Sequence, residues 1–296
     1  MSERNDAVRS VLELWRQLPE EHRSDFTISF SIIRGALGLE WMTRHLDPES
    51  SKTGFFRLSA DAVTEDQATK HYRTIDLAES LINLKDIDGF PECISRMRSS
   101  ENPESALAEL HVAKMLHINQ WQFRFATPQG HRGNDYDFEI EYCGHLVFGD
   151  AKCKVEATDL SSKTITSTLS SSRTQLPSKG PGVFFIKIPQ HWTSDPNWER
   201  ITIQGALDFF AQGSGRIVSV AFYLEPLHYA HGILMQGHIF KEVTNPHHRH
   251  DKGLDWRFFE RWKPPSDKLN SMPPFWIRLS NFPSGLPGYD EAQSTM

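Results

Sequence analysis

The stretch Tyr136–Lys154, Tyr-Asp-Phe-Glu-Ile-Glu-Tyr-Cys-Gly-His-Leu-Val-Phe-Gly-Asp-Ala-Lys-Cys-Lys, decides how the rest of the chain is read. Apolar residues alternate with polar ones from Phe138 to Tyr142, and a second apolar run follows Gly144. That pattern predicts two strands, Tyr136–Cys143 and His145–Lys154, joined at Gly144 as an antiparallel hairpin. Side chains two apart on a strand share a face, so Asp150 and Lys152 point together while Val147, Ala151 and Cys153 take the other side. Asp137 opens the first strand.

Upstream of the hairpin, Asn102-Pro103 marks a helix start. Asn caps, and Pro suits the first helical position because its missing N–H would be unpaired there. The helix extends to about His117, followed by a strand at Trp121–Ala126 and a polar loop over 127–134. Downstream, Leu160, Ile165, Leu169 and Leu176 recur at helical intervals through a Ser/Thr-rich segment that Pro177 closes. A strand at Gly182–Ile188 follows, then a helix capped at Asp195-Pro196 and ended by Gly213, then a strand at Arg216–Leu224. The order α, β, β, β, α, β, α, β predicts an α/β fold with a mixed central sheet and helices on its faces. One further strand is expected within Gly232–Val243. Its aromatic-rich continuation (Trp256, Phe258, Phe259, Trp262, Phe275, Trp276) is expected to pack over the core.

Residues 1–100 read as helical. Val8, Val11, Leu12, Trp15 and Leu18 share one helix face, a buried helix is expected over 25–46 despite Gly35 and Gly38, and Ile75, Ala78, Leu81 and Ile82 mark another helix. Nothing in this region looks catalytic, so support or partner contact is its expected role. Three regions follow: helical 1–100, an α/β core at 101–225, and an extension at 226–296.

The 296 residues carry 38 acidic and 32 basic side chains, a formal charge of −6, which disfavours a general nucleic-acid coat. No window approaches the roughly 18 apolar residues of a membrane span, and the charged start Met1-Ser-Glu-Arg-Asn-Asp lacks an apolar signal core. The three cysteines, Cys93, Cys143 and Cys153, form neither a disulfide scaffold nor a zinc pattern. A cytoplasmic location is therefore expected, with Cys143 and Cys153 as small apolar residues. The tract Asn245-Pro-His247-His248-Arg249-His250 matches no zinc spacing and reads as a solvated loop.

The candidate chemistry lies in four side chains. Glu109 shares a helix face with Ala106, Ala113 and Leu116, and the alanines allow close approach to a sheet. A carboxylate there is costly unless neutralised. Asp137, Asp150 and Lys152 complete the group. Three carboxylates beside a lysine suit an oxygen-ligand cation such as Mg²⁺, with Mn²⁺ as the alternative. Lys152 can orient or deprotonate a water, or hold a phosphate oxygen.

Glu109 on a helix, Asp137, and Asp150-Ala151-Lys152 on the next strand resemble the PD-(D/E)XK nuclease superfamily, whose αβββαβ restriction-endonuclease-like core has the order expected for residues 103–188. The resemblance implies that Asp137 and Asp150 are metal ligands, Lys152 the catalytic lysine and Glu109 a further ligand. It also implies that Gln175 is the extra polar residue that orients the water or the lysine. Two features depart from the pattern. No proline precedes Asp137, the preceding residues being Asn134-Asp135-Tyr136, and Asp150 stands where Glu is usual. Asp135 is the rival of Asp137. Asp137 is favoured because it runs directly into the strand alternation.

The implied activity is Mg²⁺-dependent phosphodiester hydrolysis, on DNA as the leading substrate. Between 160 and 190 the chain has Lys163, Arg173, Lys179 and Lys187 and no acidic residue. With Lys154, the first three are the candidate phosphate contacts. Competing readings are a silent nuclease-like binding or assembly subunit and an RNA-directed nuclease. A homodimer, or a partner protein held through residues 1–100, is also expected.

Overall fold

A computed structural model describes residues 20–47, 55–56, 65–127, 129, 133–155, 158–225, 227–230, 233–236, 239–259, 276 and 279. The helix expected around Val8–Leu18, and Trp262 and Phe275 of the tail, lie outside them. The chain divides into two compact units, residues 1–85 with 272–296, and residues 86–271. No described helix is long and apolar enough to cross a membrane.

In the first unit, the helix expected over 25–46 is two helices, α1 (Glu20–Leu37) and α2 (Leu39–His45). Gly38 separates them at φ 89°, a backbone setting most residues avoid. Phe30, Ile33, Leu37 and Trp41 are buried, whereas Leu39, just past the break, is exposed. α3 (Glu65–Leu84) packs on α1 and buries Leu77, Ala78, Leu81 and Leu84. Buried Glu79 accepts the Leu279 N–H at 3.0 Å and the Trp276 indole N–H at 3.3 Å.

The second unit begins before the expected core and ends beyond it, from α4 (Phe90–Ser99) to residue 271. α5 (Pro103–Ile118) starts as its sequence requires, with the Asn102 side chain accepting from the N–H groups of Glu104 and Ser105. Three strands follow, β1 (Gln122–Phe125), β2 (Phe138–Tyr142) and β3 (His145–Cys153). Then come α6 (Ser162–Ser172), β4 (Gly182–Lys187), a 3-10 turn at Gln190–Ser194, α7 (Trp198–Ala211) and β5 (Ile217–Leu224). The order helix, three strands, helix, strand expected for 103–188 is the order found.

The region expected as one strand is broken. β6 (Leu227–Ala230) and β7 (Ile233–Gln236) form a separate hairpin, and only β8 (Ile239–Thr244) joins the main sheet, antiparallel to β5. The main sheet has the order β1-β2-β3-β4-β5-β8. β1, β2 and β3 are antiparallel neighbours, and β3, β4 and β5 are parallel. β4 and β5 are buried throughout, as central parallel strands are when both faces are covered. α6 and α7 cover one face around Ile165, Leu169, Phe184, Ile186, Phe209 and Val220. α5 covers the other, where the Tyr223 hydroxyl donates to Ala108 O at 3.1 Å.

Three local expectations are corrected. Asp195 does not cap α7; it accepts the Asn197 N–H in a turn, and the helix starts at Trp198. Cys143 is exposed rather than packed, because Cys143 (φ 49°) and Gly144 (φ 79°) form a two-residue turn that twists with the strands they join. The histidine tract is only partly solvated. Asn245 is fully buried and donates Nδ2 to Ser214 O and Ile217 O, and His248 is buried near Trp256. Trp256, Phe258 and Phe259 do pack inward, and the Glu242 carboxylate holds the N–H groups of Phe258 and Phe259 at 2.7 and 2.8 Å.

Lys187 also departs from the sequence reading. It is buried on the α5 face, with Nζ 2.9 Å from Glu104 Oε1, so it cannot belong to a basic strip that meets substrate. Lys187→Ala strands a buried carboxylate and is expected to cost about 3 kcal/mol in urea denaturation, without weakening nucleic-acid binding.

Candidate functional site

β2 pairs with β3 only as far as Phe138 opposite Gly149. Asp137 adds one more rung, donating its N–H to Gly149 O and accepting from Ala126 N–H, and the chain then leaves the sheet. Beyond Gly149, β3 keeps β4 as a ladder partner, with Asp150 beside Phe184 and Lys152 beside Ile186. The Ala151 N–H therefore faces a gap, and the Asp137 carboxylate fills it, accepting through Oδ2 at 2.7 Å. A buried peptide N–H needs a partner. Here that need fixes Asp137 beside Asp150.

Asp150 is fully buried, and Lys152 Nζ donates to its Oδ1 at 2.9 Å. Its Oδ2 is buried with no hydrogen-bond partner among the described residues. Burial, then the charge of Asp137, raises the Asp150 carboxyl well above the usual range, against the lowering effect of Lys152.

Glu109 reaches the same gap from α5, on the buried face with Ala106, Ala113 and Leu116. Its carboxyl is pushed up to about 7 by burial first and Asp137 next, while Arg96 and Lys152 pull it down. Arg96, on α4, is its ion-pair partner, Nη2 to Oε2 at 2.5 Å. The Cys93 thiol, one turn earlier on α4, donates to the same oxygen at 3.8 Å, and burial raises its pKa. Gly89 makes this approach of α4 to β1 feasible: a Cβ there would sit 2.2 Å from Phe125 O.

Lys152 is a cation. Burial lowers its pKa, but Asp150, Asp137 and Glu109 raise it further, and the net shift is upward. It can hold a phosphate oxygen or orient a water; it is a poor base while its three carboxylate neighbours are ionised.

The structure thus holds Asp137, Asp150 and Lys152 in one hydrogen-bonded group around Ala151 N–H, with Glu109 near enough for its charge to act on Asp137 and Lys152. Asp135 stays apart, and its N–H donates to Gln175 O. Gln175 lies in the turn after α6, and its side chain makes no hydrogen bond among the described residues. Of the candidate phosphate contacts, Lys163 is exposed at the start of α6 and Lys154 is half-buried past β3. Arg173 and Lys179 line one pocket with Arg216.

Sequence reasoning missed Arg96 and Cys93. They lie three apart on one face of a helix in a region read as supportive, and only the close packing of α4 on α5 gives them a place at the site.

The carboxylates suit a cation on this structure's own terms. Asp150 Oδ2 lacks a donor, and burial first, then the charge of Asp137, raises the pKa of Asp150 and of Glu109. As placed, the three carboxylates do not bring ligand oxygens all within 4.8 Å of one another, so a shared cation needs a side-chain adjustment. The three carboxylates offer oxygen, the donor type Mg²⁺ and Mn²⁺ take; the Cys93 sulfur beside Glu109 is a thiol whose pKa burial raises.

In comparisons with known proteins the chain matches no family model, no curated protein and no solved structure.

Proposed function

We propose that the chain is a metal-dependent nuclease that hydrolyses phosphodiester bonds, with DNA as its substrate. The reading rests on one observation above the others: the fully buried Asp150, its Oδ2 without a donor, set between Asp137 and Lys152 at the point where β2 leaves β3. The order of elements over 103–187 and the approach of Glu109 from the helix before them support the resemblance to PD-(D/E)XK nucleases.

Asp137, Asp150 and Glu109 would hold Mg²⁺. A bound Mg²⁺ would polarise the scissile phosphate and lower the pKa of a water. Lys152 holds a non-bridging phosphate oxygen or directs the water, and its charge offsets the negative charge that grows in the transition state. Arg96 holds Glu109 in place, and Ala151 N–H does the same for Asp137.

A second reading has its own observation. Arg96 and Lys152 already pair with two of the three carboxylates, so the group is largely neutralised without a metal, as a silent binding module requires. The test is cleavage of supercoiled plasmid, linear duplex, single-stranded DNA and structured RNA with Mg²⁺, Mn²⁺ or EDTA. Metal-dependent cutting that Asp150→Asn abolishes is the expected result, and the panel names the substrate. Binding without cutting under either metal would select the silent module.

A further inference from the structure

A second chemical feature lies where β4 and β5 begin. A cavity of about 610 Å³ is lined by Arg173, Lys179 and Arg216 with the polar side chains of Asn134, Thr174 and Ser178, and by no acidic residue. That volume is within the range of small-ligand pockets. None of the three cations pairs with a carboxylate among the described residues.

The two arginines brace the wall. Arg216 Nη1 donates to Pro177 O at 2.6 Å and Nη2 donates to Arg173 O. Arg173 Nη1 donates to Ser214 Oγ at 3.2 Å. Each guanidinium has five N–H donors, so both keep several for a ligand. Their charges also oppose each other: burial lowers the Arg216 pKa, and Arg173 lowers it further. An anion in the cavity relieves that repulsion.

The cavity is joined to the carboxylate site by backbone. Gly133 N–H donates to Thr174 O and Asp135 N–H to Gln175 O, so the segment that leads into Asp137 is tied to the cavity wall. Asn134 is three residues before Asp137, no more than about 11 Å of extended chain.

We propose that this cavity binds a phosphate monoester at the end of a nucleic-acid strand, which makes the chain an end-recognising enzyme. The proposal rests on the nuclease reading for its substrate class. A monoester carries close to two negative charges at neutral pH and three strong acceptor oxygens, whereas an internal diester carries one charge. Three cations without a carboxylate partner match the former.

The test is fluorescence polarisation in EDTA, where no cutting occurs. The probes are an internally labelled single-stranded oligonucleotide with a 5′-phosphate, with a 3′-phosphate, or with both ends as hydroxyls; a nucleoside monophosphate and inorganic phosphate serve as competitors. One phosphorylated form is expected to bind about tenfold tighter than the hydroxyl form, the scale of charge-assisted hydrogen bonds. Lys179→Glu, on an exposed residue, and Arg173→Gln should each remove that preference. Equal affinity for all three oligonucleotides overturns the proposal. So does competition by inorganic phosphate or the mononucleotide at the oligonucleotide's own affinity, which makes the cavity a free-ligand site. If the protein prefers phosphorylated ends yet never cuts, the nuclease reading fails while the cavity assignment stands; cutting without end preference gives the reverse.

Discussion

Asp150→Asn is expected to abolish metal-dependent cleavage and, in the same protein, to raise the stability of the metal-free form. The two effects have one cause. Asp150 is buried beside Asp137, and Lys152 meets only one of its oxygens, so its charge is held at a cost unless a metal ion shares the other. Removing the charge removes the ligand. The loss in rate should be on the order of 10³-fold or more, the several kcal/mol that a metal centre contributes to phosphoryl chemistry. The gain in stability should appear at about pH 8 as a higher Tm than that of the wild type. A thermal melt in EDTA beside a cleavage assay reads both.

The pH dependence fixes the sign. Glu109 and Asp150 are carboxyls whose folded pKa lies above the unfolded one, so the native state binds more protons through that window. Stability of the metal-free protein is therefore highest below the unfolded pKa and falls as pH rises, for Glu109 between its ordinary 4.5 and about 7. This is the reverse of a carboxylate stabilised by a salt bridge. In Asp150→Asn the decline should be shallower.

Lys152→Met carries the second large effect. Rate should fall by about 10²–10³-fold, as when one positioned group facing developing charge is lost. Stability at neutral pH should fall as well, by about 2–3 kcal/mol, because Asp150 then meets no donor on either oxygen. The pair is coupled through the 2.9 Å contact, so Lys152→Met should destabilise the Asp150→Asn protein less than it destabilises the wild type, and the double variant should be as inactive as either single one. Additive stability changes in the double variant would mean that the two side chains do not act as a unit.

Much of this was legible in the sequence because it rests on strand alternation. Period two set Asp150 and Lys152 on one face, and the helix face of Glu109 with two alanines announced a buried carboxylate. The choice of Asp137 over Asp135 followed from where the alternation begins, and the reason is now physical: only Asp137 is placed to take the orphaned Ala151 N–H. Arg96 was not legible. It becomes relevant through packing of one helix on another, which no local pattern encodes. Lys187 was misread for the same reason: its partner Glu104 lies 83 residues away, so a count of charges along the chain placed it on the surface. The break at Gly38 and the split of the expected last strand were underweighted turn signals. The arginine pair of the cavity also stayed hidden, because Arg216 sat in the sequence as the first residue of a strand.

Whether Glu109, Asp137 and Asp150 hold one cation together is decided by a calorimetric titration of the metal-free protein with Mn²⁺, repeated on Asp150→Asn. The wild type should bind saturably, with proton release at about pH 7, since carboxyls raised in pKa must ionise to become ligands. The variant should lose this binding. Equal binding by both proteins, or none by the wild type, would contradict a shared cation site.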